Sequence, residues 1–205
     1  YLYSLYSRRP APLTDKETVV LADFANTTGD PVFDGTLRQG LAIQLQQSTF
    51  LSLTSDTRIQ ELLPLMGQPV DAKLTPAIAR DICERMGGGA IVDGRIAGLG
   101  AQYVLSVRAT GCRSGEVLAE EQAQVAKTED VLTALSDIAS RLRVRLGESL
   151  STLDEHNRPL PDVTTPFPDA LKAYSAGLQA QGTQGRVAAI ELFKRAVEID
   201  DRFAS

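Results

Sequence analysis

"VVLADFANTTGDPVFDGTLRQGLA", Val19 to Ala42, decides the fold. Thr18 to Phe24 reads as an apolar run that stops at a turn, which suits a strand buried on both faces. Asn26, Thr27, Thr28, Gly29, Asp30 and Pro31 are turn formers. Asp34 stands where a helix N-cap belongs, and Leu37, Leu41 and Leu45 then recur at helical spacing. Strand, Gly-bearing turn and helix is also the order of a phosphate cradle, so the stretch poses a chemical question as well as a structural one.

The residues answer it against phosphate. A P-loop needs G-x-x-x-x-G-K-[ST], and no Lys follows Gly35 or Gly40. The G-x-G-x-x-G dinucleotide pattern is also missing. Asp30 and Asp34 flank the helix start, where they suit the helix dipole but repel an anion. The expectation is a turn that serves structure or partner contact through Asn26, Thr27, Thr28 and Asp30, with no cofactor.

Outward from this stretch the pattern is α/β. Phe50–Thr54 reads as a short strand, with Ser55 or Asp56 capping a helix to about Leu65. Thr75 caps the next helix, with Pro76 at its first position and an apolar stripe of Ile78, Ala79, Ile82, Cys83 and Met86. Gly87 to Gly89 end it. Three strands follow, at about 90–98, 102–110 and 116–126, joined by short Gly-rich turns as a meander. Tyr103, Leu105, Val107 and Ala109 alternate with Val104, Ser106 and Arg108, the mark of a half-buried antiparallel strand. Asp130 opens a helix to about Leu150. "STLDEHNRPLPDVTTPFP" (151–168) carries four Pro and reads as a linker. Two helices, about 168–181 and 185–199, close the chain.

Composition bounds the function. The 205 residues are 43% hydrophobic, enough for a core, and the net charge of −5 argues against broad nucleic-acid binding. His156 is the only His and lies in the linker between Glu155 and Asn157, a poor place for a catalytic base. Carboxylates are plentiful but scattered, and Cys and His do not cluster as metal ligands do. No catalytic or metal-binding residue is assigned. No stretch is long and apolar enough to span a bilayer. "YLYSLYSRRPAP" at the start has interfacial Tyr with Arg just beyond. It reads either as the outer end of a membrane helix followed by a stalk (residues 1–16), or as an amphipathic or disordered leader.

Two resemblances give these segments a setting. "ALKAYSAGLQAQGTQGRVAAIELFKRAVEIDDRFA" resembles a tetratricopeptide repeat. Gly177, Ala189 and Ala196 fall where two antiparallel helices pack closely, and Phe193 takes the aromatic position. Ala173, Ala180 and Asp201 depart from the typical Trp, Tyr and Pro. A plain helical hairpin is the alternative. One repeat cannot bury its own face, so the repeat reading expects others beyond Ser205.

Residues 17–150 resemble the TolB amino-terminal-like domain, on the strand, the "NTTGD" turn, the helix and the later "VDGRIAGLGAQYVLSVRATGCRSGEVLAEEQ" meander. The fold expected is therefore α/β: a TolB-like domain over 17–150, a linker over 151–167 and the first repeat over 168–205. The pair of modules resembles the region that lies outside the membrane in bacterial, notably acidobacterial, eukaryotic-like serine/threonine kinases. No kinase motif is present in this chain. The resemblance implies a non-catalytic sensor region on the periplasmic side, anchored by a membrane helix before Tyr1, with a protein or peptide partner and a homodimer. An envelope scaffold that signals nothing is the rival reading.

Cys83 and Cys112 stay open at this level. If the first hairpin of the meander pivots near 99–101, residue 112 faces residue 88, close to the end of the Cys83 helix. A disulfide fits that geometry and an extracytoplasmic setting. A buried thiol and an unrelated exposed one fit the sequence as well.

Overall fold

The computed structural model describes Leu13 and residues 16–203. The expectations for the membrane-proximal stalk fall almost wholly outside these residues. The strands are β1 (Glu17–Leu21), β2 (Ala25–Asn26), β3 (Leu51–Leu53), β4 (Ala90–Leu99), β5 (Gln102–Gly111) and β6 (Val117–Val125). The helices are α1 (Thr36–Gln46), α2 (Asp56–Leu65), α3 (Pro76–Met86), α4 (Val131–Leu146), α5 (Leu150–His156), α6 (Leu160–Val163), α7 (Pro168–Thr183) and α8 (Arg186–Ile199).

One sheet runs in the order β3-β1-β4-β5-β6, with β2 also paired to β4. The pairs β1–β3, β1–β4 and β2–β4 are parallel; β4–β5 and β5–β6 are antiparallel. The sequence places each half for a physical reason. β1 is followed by helix-forming sequence, which carries the chain back for a parallel return. β4, β5 and β6 are joined by Gly-bearing turns too short for anything but hairpins.

The apolar run of β1 is buried on both faces because helices cover both. Val19 and Leu21 join α1 and α4 in the larger core, with Leu37, Leu41, Leu135, Ile138 and Leu142. Val20 and Ala22 join α2 and α3 in the smaller one, with Ile59, Leu63, Ile82 and Cys83. Ser55 and Thr75 cap α2 and α3, accepting from Arg58 N at 3.2 Å and Ile78 N at 3.4 Å.

Three sequence expectations change. Asp34 is not the cap of α1: Gly35 holds that position at φ 73°, and the Asp34 carboxylate accepts from Asn26 Nδ2 at 2.8 Å instead. The backbone must turn left-handed there, which Gly allows. Asp130 opens α4 from the N-cap position as expected, though without a side-chain cap bond, but α4 stops at Leu146 before Gly147 rather than running to 150. The Pro-rich segment 151–167 is not a free tether. It contains most of α5 and all of α6, and Leu153, Leu160 and Thr165 are buried. Pro restricts the chain to a few shapes, and here those shapes follow the surface of the α/β layers.

Leu160 shows how the segment is held. It is fully buried, and it lies over Gly40 of α1 and beside Leu135 of α4: a Cβ added at Gly40 would meet Leu160 Cδ2 at 2.7 Å and Leu135 Cδ2 at 3.0 Å. Ser136 Oγ accepts from Leu160 N at 2.8 Å. Gln47 accepts from Arg158 N at 2.7 Å, while Gln44 and Gln47 each donate to Arg158 O at 3.0 Å.

Beneath this segment lies a buried ionic knot. Arg143 and Glu148 are both fully buried, and their side chains meet as a two-pronged pair at 2.8 and 2.7 Å. Ser48 Oγ donates to Glu148 at 2.6 Å, and Arg143 also reaches Gln44 O and Asn157 Oδ1. Burial works against the charged carboxylate. The bonds from Arg143 and Ser48 outweigh it and hold the Glu148 pKa below its ordinary value.

The α7–α8 hairpin then packs on α1 through Leu171, which is part of the larger core together with Ala196 and Phe203. Its own seam is close because Gly177 faces Phe193: a Cβ there would fall 2.6 Å from Phe193 Cδ1. Tyr174 lies between Phe193 and Phe203, tilted against the first and edge-on to the second, at ring distances of 5.7 and 5.1 Å.

Candidate functional site

The 26–34 turn sits at the carboxyl end of β1, where open α/β sheets place their ligand sites. β2 ties it to the sheet, and Thr27 binds Ile96 O twice, through N at 3.0 Å and Oγ1 at 3.2 Å. Within the turn the polar groups bond to one another. Asn26 Oδ1 accepts from Thr28 N at 3.0 Å and Thr28 Oγ1 at 2.7 Å. Asn26 Nδ2 donates to Asp30 O at 2.8 Å. Thr28 Oγ1 accepts from Asp30 N at 3.0 Å, and Asp30 Oδ1 accepts from Val32 N at 2.9 Å. That last bond caps a 3-10 turn at Pro31–Phe33.

The structure therefore brings Asn26, Thr28 and Asp30 together as one bonded unit and ties Thr27, just past β2, to Ile96 O of β4. It directs most of their hydrogen-bonding capacity inward. What the turn offers outward is shape: exposed Ala25, Thr27, Gly29, Pro31 and Asp34 on a fixed frame. The start of α1 carries the Asp34 carboxylate beside it. This arrangement repels a phosphate rather than cradling one.

Next to the turn lies a feature that the sequence did not disclose. A cavity of about 170 Å³ is lined by Leu21, Arg38, Ala42, Thr54, Asp56 and Leu178, among others. Arg38 spans it. Its guanidinium bonds Asp56 at 2.5 and 3.2 Å and donates to Leu21 O at 3.4 Å. Its Nε lies 3.2 Å from Asp23 Oδ1, an ionic contact whose N–H is not aligned for a hydrogen bond. Asp23 in turn accepts from Leu74 N at 2.7 Å. Two carboxylates already neutralise Arg38, so the cavity does not present an unspent cation to an anionic ligand. Asp23, just past the end of β1, is the available signal: one charge in an otherwise apolar run is costly to bury unless paired. Its partners Arg38 and Leu74 are too distant in sequence to be read.

The other expected residues are placed plainly. Cys83 on α3 and Cys112 after β5 are both fully buried, with Cα atoms 6.0 Å apart and the sulfurs at bonding distance. That separation lies in the range disulfides occupy. His156 is exposed at the end of α5, its Nδ1 3.1 Å from Thr152 O. Among the described residues no group of three His, Cys, Asp or Glu side chains is arranged to hold a metal, and no helix is long and apolar enough to cross a membrane.

A second surface feature belongs to α8. Ile190, Phe193, Lys194, Val197 and Glu198 line a shallow, mainly apolar groove of about 650 Å³. Val187, Ile190 and Val197 are exposed. The helical spacing was legible, but exposure depends on which face meets α7.

No family model and no curated protein matches the sequence. Among solved structures, the LpoB C-terminal domain from Salmonella enterica superposes with a TM-score of 0.51 at 16% identity, covering 56% of this chain and 86% of that one. The LpoB C-terminal domain from Escherichia coli gives 0.51 at 15% identity, with the same coverage. TolB from Acinetobacter baumannii gives 0.43 at 15% identity over 67% of this chain and 30% of that one, too loose a superposition to argue from. At these identities the likeness to LpoB is one of fold: a mixed sheet with helices on both faces.

Proposed function

We propose that this chain is a non-catalytic protein-interaction module that works outside the cytoplasm. The observation that carries the reading is the exposed apolar flank of α8, held on a hairpin that is itself packed onto the α/β layers. Contiguous apolar surface of this kind marks interaction sites in soluble proteins. The self-bonded 26–34 turn adds a rigid polar knob that fits a protein surface better than a small molecule. The buried Cys83–Cys112 pair supports an oxidising compartment. The LpoB-like fold supports an envelope setting, by analogy of fold alone.

Within this reading, the module is the sensor region of a membrane-anchored serine/threonine kinase, with the α7–α8 hairpin as a tetratricopeptide-like unit. Partner binding outside would change the pairing of the domains inside. The Gly177–Phe193 seam favours the repeat reading of the hairpin. The rival is an envelope scaffold with stable partners and no signalling. Sequencing the reading frame around this chain separates them. A kinase domain and one apolar span ahead of it supports the sensor; a cleavable signal peptide or lipobox sinks the kinase assignment and favours the scaffold.

A further inference from the structure

We propose that the cavity at the carboxyl ends of β1 and β3 binds a small zwitterion: a free amino acid with a short aliphatic side chain. The inference goes beyond the interaction reading and stands without it. Its place in the fold is the first argument. β1 and β3 are parallel neighbours. The chain leaves β1 into α1, on the face of the larger core, and leaves β3 into α2, on the face of the smaller one. Connections that part to opposite faces open a crevice at the strand ends, where open α/β sheets hold their ligands. Leu21 and Leu53 end the two strands, and both line the cavity. Leu178 of α7 adds a wall from the hairpin.

The lining selects the class of ligand. Its charged members are Arg38 and Asp56, one of each sign, joined by bonds of 2.5 and 3.2 Å. The Arg38 side chain is 15% exposed and is held from behind by Asp23 and Leu21 O, whereas Asp56 is 59% exposed. Asp56 is therefore the partner free to swing. A plain anion on the guanidinium would displace Asp56 and leave two acids side by side. A plain amine would draw Asp56 away and put nothing in its place on the guanidinium. A zwitterion inserts into the pair. Its carboxylate takes the guanidinium fork, its ammonium meets Asp56, and no charge is left over.

The rest of the lining suits the body of such a molecule. Leu21, Ala42, Leu53 and Leu178 offer an apolar wall. Thr54 also lines the cavity and is 8% exposed, and its Oγ1 is buried with no hydrogen-bond partner among the described residues. A buried hydroxyl in that state is costly, and a polar ligand relieves it. The volume is about 170 Å³. A cavity of about 150 Å³ takes benzene, so a molecule the size of valine or leucine fits.

Isothermal titration of the whole chain with L-valine and L-leucine tests this. Isopentylamine, which lacks the carboxylate, and isocaproate, which lacks the ammonium, are the controls. The expected result is one saturable site per chain for at least one of the two amino acids, with a dissociation constant of roughly 10 µM to 1 mM. Each control should bind about tenfold more weakly or worse. Asp56→Asn should weaken the amino acid about tenfold, with far-UV circular dichroism showing the fold intact. Thr54→Val keeps the side-chain shape. It should weaken binding while leaving Tm unchanged or higher, since it removes a hydroxyl without a partner. The absence of saturable binding by either amino acid up to about 10 mM overturns the proposal. So does a control that binds as tightly as leucine, or binding indifferent to both Asp56→Asn and Thr54→Val.

Discussion

Replacing Arg143 by Met should be among the most damaging single substitutions in this protein. The guanidinium is fully buried and makes two bonds to Glu148, at 2.8 and 2.7 Å, with further contacts to Gln44 O and Asn157. Met fills most of the volume but leaves the Glu148 carboxylate in a dry site with Ser48 as its remaining hydrogen-bond partner. Breaking one side of a buried pair costs about 3–5 kcal/mol. For a chain of 205 residues, that is a fall in Tm of roughly 6–20 °C. The sign of the pH dependence follows from the two environments. In the wild type the Glu148 pKa is held low, so its contribution is present above the unfolded carboxylate pKa and is lost as pH falls through the folded value. In Arg143→Met the orphaned carboxylate prefers its proton, so its folded pKa rises. That variant is therefore penalised most at pH 7, and the gap to the wild type narrows toward pH 4. Urea unfolding followed by circular dichroism at pH 7 and pH 4.5 measures both effects. The double variant Arg143→Met with Glu148→Leu should recover most of the loss, since neither charge then needs a partner. A cost below about 1 kcal/mol at pH 7, or a gap that does not narrow with acid, would refute this account of the knot.

Three further outcomes follow from the geometry. Mass spectrometry of the unreduced protein should find Cys83 joined to Cys112. Cys112→Ser should lower stability by about 3–4 kcal/mol in the chain-entropy model for a separation of 29 residues. Leu160→Ala should cost about 2–4 kcal/mol, and limited proteolysis should then cut first between 157 and 167, because the anchor over Gly40 is gone. Asn26→Ala should cost about 1–2 kcal/mol, and hydrogen exchange should speed up at the Thr28 amide, whose acceptor is the Asn26 side chain.

The sheet and its meander were legible because their signals are local. The apolar run before Asn26, the alternation from Tyr103 to Ala109 and the Gly-rich turns each act over a few residues. The caps at Ser55 and Thr75 were legible for the same reason. The cap of α1 was not, because Asp34 and Gly35 both suit that place and the choice depends on Asn26, eight residues back. The Pro-rich segment reads as a tether because Pro reports on backbone shape and says nothing of what the backbone lies against. Leu160 finds Gly40 across more than a hundred residues, and no local pattern holds that fact. The site divides in the same way. Asn26, Thr28 and Asp30 signal a turn, but that they satisfy each other depends on the folded path of the turn. Arg38 carries no local signal of its partners, since Asp23 and Asp56 lie 15 and 18 residues away in sequence.

The seating of Leu160 over Gly40 has a mechanical consequence. With 151–167 laid along the α/β layers and Leu171 in their core, the terminal hairpin has no slack with which to swing. From α8 the packing runs through α7 to α1 and the Pro31–Phe33 turn, so a load on the hairpin is passed into the α/β layers. The molecule thus behaves as a strut rather than as two beads on a string, and a tug at one end is felt at the other.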